Sequence, residues 1–237
     1  MSAKPIVIVK TGEPVPSVLA RRGEFARLIE EAIGETWRGG YSIFDARSEA
    51  FPRPDDAAAL VITGSAANVP DRESWMLRIE AWLRDAVGAG VPTLGICFGH
   101  QLLGQALGGQ VLKNPRGREI GTIVIERISD DPIFGDLGPR FAANATHIDT
   151  VATLPTGAVA LARSSLDDHQ AIRFTPTCYG VQFHPEIDAD VMRAYIAARR
   201  EILATEGIDP DALAASVEEG EPGRRTLRNF IAHALRR

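Results

Sequence analysis

The chain has 237 residues, a formal net charge of −5 and 45 % apolar residues, enough to bury a sizeable core without disulfide or metal staples. Two cysteines, Cys97 and Cys178, exclude a disulfide-dense scaffold, no Cys/His spacing suits zinc, and no metal or cofactor motif is present. No eighteen-residue apolar run suggests a membrane span, the acidic balance argues against a nucleic-acid partner, and Met1-Ser-Ala-Lys4 leading straight into an apolar strand gives the expectation of a cytoplasmic protein without a signal peptide.

In chain order, the apolar spacing predicts a strand over 6–9, a helix over 24–33, strands over 41–45 and 60–63, a helix over 73–87, a strand over 92–96 and a helix after Cys97. Trp75, Ile79, Trp82 and Leu83 recur at helical spacing and are assigned to the core. This alternation predicts the α/β class: a doubly wound, mostly parallel sheet flanked by helices, with ligands at the C-terminal strand edges. From 108 to 184 the pattern becomes strand-rich, with candidates at 121–125, 141–145, 159–162 and 171–174. Helix resumes over 189–203, and Asp209 and Pro210 read as the cap and first residue of another helix. The last helix is amphipathic, with Leu227, Phe230, Ile231 and Leu235 on one side and a basic, solvated face on the other. No repeat or low-complexity linker divides the chain, so 1–237 is read as one unit, with 205–237 as a helical extension packed on it.

The most chemical stretch is Thr93-Leu-Gly-Ile-Cys-Phe-Gly-His-Gln101, where a buried strand gives way to a helix at Cys97. A GxCxG turn has the logic of a nucleophile elbow: glycines permit a sharp bend, and the central side chain stands at the sheet edge facing the helix's free amides. Those amides and the helix dipole favour thiolate over thiol. An ordinary cysteine with a pKa of about 8.5 is only about 3 % ionised at pH 7, so a drop of two to three units changes the reactive fraction about thirtyfold. The same pattern also accommodates a small buried cysteine at an ordinary turn. Further along, Cys178-Tyr-Gly-Val-Gln-Phe-His-Pro-Glu186 reads as a strand ending at His184, with Glu186 on the same face of extended chain two residues later. A base and an orienting acid are what a catalytic cysteine requires, although a strand-end histidine can equally be structural.

Together, GICFGHQ and YGVQFHPE resemble the signature of the class I glutamine amidotransferases, and above all the glutaminase half of GMP synthetase. The resemblance implies a flavodoxin-like core with a small antiparallel addition, and a triad of Cys97 as nucleophile, His184 as general base and acid, and Glu186 as its orienter. Leu60-Val-Ile-Thr-Gly-Ser65 resembles the family's oxyanion turn, so Gly64 and the Phe98 amide are implied as oxyanion donors, and Gln101 as a holder of the substrate's amino-acid end. The segment Ala145-Thr-His-Ile-Asp149 resembles the family's substrate-contacting Ser-His-Gly-Asp turn. It departs from it at Ile148, which stands where the family has glycine; His147 and Asp149 keep their places. His147 and His100 read as pocket-wall or structural histidines, and Cys178 as a core residue.

The expected function is hydrolysis of glutamine's side-chain amide. No GxxxxGK[ST] or SGGxDS-like segment that would use ATP is present, so the ammonia is expected to pass to a separate synthetase subunit. A free-standing γ-glutamyl peptide hydrolase keeps the chemistry with another substrate, and a partner-gated or regulatory subunit keeps the scaffold. A cysteine-elbow α/β-hydrolase remains as a rival, with Asp149 or Asp167 as the acid in place of Glu186.

Overall fold

A computed structural model describes residues 4–48 and 50–236. Met1, Ser2 and Ala3, on which the leaderless reading rests, lie outside the described residues, as do Glu49 and Arg237.

Strand β1 (Ile6–Lys10) sets the architecture, because Ile6 and Ile8 are buried on one face while Val7 and Val9 are buried on the other. A strand covered on both faces belongs in the middle of a layered α/β sheet. After it come α1 (Pro16–Arg22) and α2 (Phe25–Ile33), then β2 (Tyr41–Asp45), β3 (Ala59–Ile62), α3 (Ser74–Gly88), β4 (Thr93–Ile96) and α4 (Phe98–Ala106). Ala26, Ile29 and Ile33 of α2 pack on the Ile6/Ile8 face, whereas Met76, Ile79, Trp82 and Leu83 of α3 and Leu102 and Leu103 of α4 pack on the Val7/Val9 face. The sheet is therefore wound on both sides.

The second half contributes β5 (Gln110–Lys113), β6 (Glu119–Arg127), β7 (Arg140–His147), β8 (Asp149–Thr153), β9 (Val159–Arg163), β10 (Ala171–Thr175) and β11 (Cys178–Val181). Among the described residues the main sheet runs β2-β1-β3-β4-β11-β10-β9-β6-β7, with β2 through β11 parallel and the remaining strands joined antiparallel. The expected strands at 121–125 and 141–145 lie opposite each other, Gly121 against Ala145 and Ile125 against Phe141. Strands β5 and β8 form a separate antiparallel ribbon that the sequence pattern does not reveal. Helix α1 is likewise unmarked by apolar spacing, although Pro16 occupies its first turn.

The helix expected over 189–203 is two helices, α5 (Ala189–Ala198) and α6 (Arg200–Thr205), broken where Arg199 adopts φ −111°, ψ 11°. Asp209 caps α7 (Pro210–Ala215), its carboxylate accepting from the amides of Asp211 and Ala212. Helix α8 (Glu221–Ala234) buries Leu227, Phe230 and Ile231 in the same cluster as Ile6 and Ile8, forming a core layer beside α2.

Register places the site. Strands β3, β4 and β11 are parallel neighbours, and Ile96 at the end of β4 lies opposite Val181 at the end of β11. The Cys97 amide donates to the Val181 carbonyl at 2.8 Å, and the His184 amide donates to the Asn144 carbonyl of β7 at 2.8 Å. Two segments far apart in sequence thus reach one edge together, and β7 is drawn to the same place.

Candidate active site

Cys97 stands between β4 and α4 with φ 51°, ψ −104°; among the described non-glycine residues only it and Arg72 have positive φ. The sharp bend is carried by the cysteine itself. The flanking glycines answer a different need, close approach of the backbone. A Cβ on Gly95 would lie 2.4 Å from the carbonyl carbon and oxygen of Gly99, and one on Gly99 would lie 2.6 Å from the Ile62 carbonyl oxygen. Strand, elbow and helix can pack this tightly only without those two side chains. Phe98 opens α4, so its amide has no carbonyl one turn earlier in the helix and is free to donate at the elbow. Its ring turns into the core, stacked on Trp75.

His184 and Glu186 are both buried, and His184 Nδ1 lies 2.7 Å from Glu186 Oε1. A carboxylate there accepts from Nδ1–H and leaves Nε2 for the thiol. Burial by itself would lower the His184 pKa, but the Glu186 charge and then the Cys97 sulfur, which also hydrogen-bonds the ring, outweigh it and raise the imidazole from 6.5 to about 10. Burial would push the Cys97 thiol up; the charge and hydrogen bond of His184, with a smaller contribution from His147, bring it below its ordinary value. The two shifts describe one ion pair, a thiolate facing an imidazolium. Phe25 stacks beside the imidazole at 6.3 Å between centroids.

Gly64 completes the edge. A Cβ at this position would lie 3.0 Å from His184 Cε1, crowding the imidazole, and in ordinary contact with Cys97 Cβ at 3.9 Å. Its loop is fixed by a threonine clasp: the Thr11 amide donates to Thr63 Oγ1 at 3.0 Å and the Thr11 hydroxyl to the Thr63 carbonyl at 2.9 Å.

The remaining expected residues gather on the other side of the sulfur. Gln101, Ile148 and Asp149 line a cavity of about 220 Å³ together with Cys97, Phe98 and His147. The Gln101 amide nitrogen, however, donates to the Asp149 carbonyl and to Gln182 Oε1, both at 3.0 Å. Ile148 is absent from the positive-φ residues, so the isoleucine sits here without left-handed strain. Burial, followed by the Asp71 charge, raises the Asp149 carboxyl pKa. His147 Nδ1 faces the Asp149 carbonyl and Nε2 faces Glu119 Oε2, each at 3.1 Å. Two acceptors call for two N–H groups, so this ring is an imidazolium. Burial opposes that charge, while Glu119 and Asp167 favour it, and the net shift is upward.

Asp167 approaches His147 at 4.0 Å, whereas the carboxylate on His184 is that of Glu186. This arrangement disfavours the rival that places Asp149 or Asp167 in the acid's role. His100 is fully buried, and burial followed by the His169 charge drives it down to about 3, so it is neutral. Cys178 is a buried free thiol raised by burial.

Several site groups carry no signal in the sequence. Glu119 is held opposite His147 by the β6–β7 register, and Thr146 offers its carbonyl to the Cys97 sulfur at 3.8 Å. Tyr195 of α5 and Arg199 at the α5–α6 break line a second cavity of about 200 Å³ beside His184 and Cys97. No local motif marks these positions; only β-strand register and helix packing assemble them. Among the described residues, no group of three or more His, Cys, Asp or Glu side chains could hold a metal ion, and no helix is long and apolar enough to cross a membrane.

A sheet wound on both sides, with Cys97, His184 and Glu186 gathered at the C-terminal edge of its parallel strands, defines a doubly wound α/β protein. The chain belongs to the class I glutamine amidotransferases: residues 45–201 match the family described as glutamine amidotransferase class-I. It is 34 % identical over 171 residues to a glutamine-hydrolyzing GMP synthase of Aeropyrum pernix, covering 70 % of this chain and 31 % of that protein. It is 45 % identical over 98 residues to one subunit of the glutamine-hydrolyzing GMP synthase of Methanosarcina acetivorans, covering 41 % of this chain and 51 % of that protein. The chain therefore spans about a third to a half of the length of these relatives. A glutamine amidotransferase structure from Thermotoga maritima superposes with a TM-score of 0.79 at 21 % identity, covering 99 % of this chain and 100 % of that one, a likeness of fold.

Proposed function

We propose that this chain hydrolyses the side-chain amide of glutamine through a thioester on Cys97. The observation that supports it most is the ion-paired thiol at the elbow, with His184 held by Glu186 at 2.7 Å. The thiolate attacks the amide carbon, and the developing oxyanion accepts from the Gly64 and Phe98 amides, each such donor being worth about 3 to 4 kcal/mol. His184 gives its proton to the nitrogen, the C–N bond breaks and ammonia leaves. His184 then takes a proton from water, the resulting hydroxide attacks the thioester, and the C–S bond breaks to release glutamate and the Cys97 thiolate, restoring its pairing with the protonated His184. The ammonia is handed to a separate synthetase, in keeping with relatives that are themselves named as subunits.

A second reading draws on the cavity beside His184. Its volume of about 200 Å³, walled by Pro14, Val15, Phe25 and Tyr195, exceeds the roughly 30 Å³ share of a water-sized leaving group. A γ-glutamyl amide of a larger amine fits there, with the same chemistry. Product release from purified protein across glutamine and γ-glutamyl dipeptides separates the readings. Either requires that Cys97→Ser lose turnover at least a thousandfold; a fully active Cys97→Ser protein would remove the thioester from consideration.

A further inference from the structure

One charged side chain faces the reaction site without an acidic partner among the described residues. Arg199 interrupts the helix between α5 and α6, where its guanidinium lies over the Tyr195 ring, 4.9 Å from the centroid. It lines both cavities that meet at Cys97. Its Nη1 is buried and has no hydrogen-bond partner among the described residues. Among the other charged groups on these walls, burial raises the Asp149 carboxyl pKa, while Arg118 and Glu13 have partners. Arg118, on the wall of the larger of the two cavities, holds Glu206 through two hydrogen bonds of 2.9 and 3.2 Å, and Glu13 across the smaller one is paired with Lys10.

An unpaired guanidinium in such a place is costly, since a buried N–H without an acceptor loses its hydration and gains nothing in return. Burial, joined by the like charge of Arg118, lowers the Arg199 pKa. The guanidinium's planar fork matches a carboxylate in shape and charge. Meanwhile Gln101, expected to hold the amino-acid end of the substrate, has spent its amide nitrogen on Asp149 and Gln182. The site therefore contains a free cation and lacks another evident partner for the one carboxylate that glutamine and γ-glutamyl amides share.

We propose that Arg199 anchors the substrate's α-carboxylate, setting the length of chain that can reach from it to the Cys97 sulfur. This inference rests on the glutaminase or γ-glutamyl reading above and names the residue that recognises its amino-acid end. Arg199 thereby sets specificity: it selects an amide that carries a carboxylate several bonds away from the scissile carbonyl.

The test uses the full chain with Arg199→Met and Arg199→Lys and has two readouts. In the first, Cys97 is alkylated at pH 7 with iodoacetate and with iodoacetamide. The iodoacetate-to-iodoacetamide rate ratio is expected to fall at least fivefold in Arg199→Met and less in Arg199→Lys, while the iodoacetamide rate, which reports an intact thiolate, stays within twofold. In the second, KM for glutamine rises at least tenfold in Arg199→Met with kcat within threefold, and turnover of 4-aminobutyramide, the decarboxylated analogue, is unchanged. An alkylation ratio that is the same in wild type and Arg199→Met overturns the proposal, as does an unchanged glutamine KM. A wild-type protein that releases no ammonia but shows the ratio shift removes the glutaminase reading and leaves Arg199 as a carboxylate site. If Arg199→Met fails to fold, the comparison of wild type with Arg199→Lys carries the same decision.

Discussion

Replacing Glu186 by glutamine is the sharpest probe of the site, because it keeps the shape of the side chain and removes only its charge. Glu186 Oε1 lies 2.7 Å from His184 Nδ1, and its charge leads the influences that overcome burial and lift His184 from 6.5 to about 10. A rise of that size corresponds to about 5 kcal/mol, shared between Glu186 and the Cys97 sulfur. If roughly half belongs to Glu186, losing it weakens the imidazolium by about 2 to 3 kcal/mol. The Glu186 charge also acts on the sulfur, raising the thiol pKa, but it touches the imidazole directly and reaches the sulfur only across the ring. The net effect of removing it is a smaller population of the ion pair. A glutamine also permits the wrong tautomer, by presenting an N–H where an acceptor is needed. Turnover, followed by a continuous ammonia assay, is expected to fall by about two to four orders of magnitude, with Glu186→Asp retaining more activity than Glu186→Gln. Turnover within fivefold of wild type would refute the assignment and return the acid's role to Asp149 or Asp167.

Three further outcomes follow from the same geometry. Cys97→Gly and Cys97→Ala are both expected to be inactive, but the glycine variant should be more stable by about 1 to 2 kcal/mol in urea melts, because φ 51°, ψ −104° strains any residue with a Cβ; an alanine variant of equal stability would show that the elbow is unstrained. In wild type the thiolate should persist below the ordinary cysteine pKa, since His184 overrides burial. In His184→Gln the burial and the Glu186 charge that disfavour the thiolate remain, opposed only by His147, and the pH midpoint of iodoacetamide alkylation should rise; a superimposable profile would separate the thiol from this histidine. Gly180→Ala places a Cβ 2.5 Å from His100 Nδ1 and 3.0 Å from Phe174 Cε2, so it should cost about 1 to 3 kcal/mol in thermal or urea unfolding. A neutral effect there would mean that the buried His100 ring has room to swing away.

What can be read from sequence divides along a physical line. The parallel strands and the helices that flank them carry their own periodicity, so β1, β3 and α3 are legible to within a residue at each end, and so is the elbow, whose glycines and cysteine lie close together. His184 and Glu186 are legible because two residues of extended chain fix their relation. The physical role of the elbow glycines is not, since their need to lack Cβ atoms comes from Gly99 and Ile62, contacts made only after strand and helix have packed. The ribbon of β5 and β8 is invisible for a similar reason. Each strand is short, and pairing across about forty residues leaves no turn signature between them. The break at Arg199 sits inside an otherwise helical pattern with neither glycine nor proline to announce it.

This division also explains how the site is held. Cys97, His184 and the Gly64 turn come from the ends of three adjacent parallel strands, where the register of Ile96 against Val181 fixes their relative height. The substrate-side wall comes instead from the antiparallel half. There the Glu119–His147 contact anchors one end of the turn that carries Ile148 and Asp149, and Ser164 and Gln170 also donate to Glu119. An imidazolium that satisfies both a buried carboxylate and a main-chain carbonyl resists displacement, because moving it would strand charges on both sides. The backbone next to the sulfur is therefore stiffened electrostatically by His147, so the glycine that Ile148 replaces is not needed for shape at this position. Substitution of Glu119 should consequently loosen the substrate side, with KM more affected than the reactivity of the thiol toward iodoacetamide. Equal losses in both would mean that the two halves of the site are a single mechanical unit.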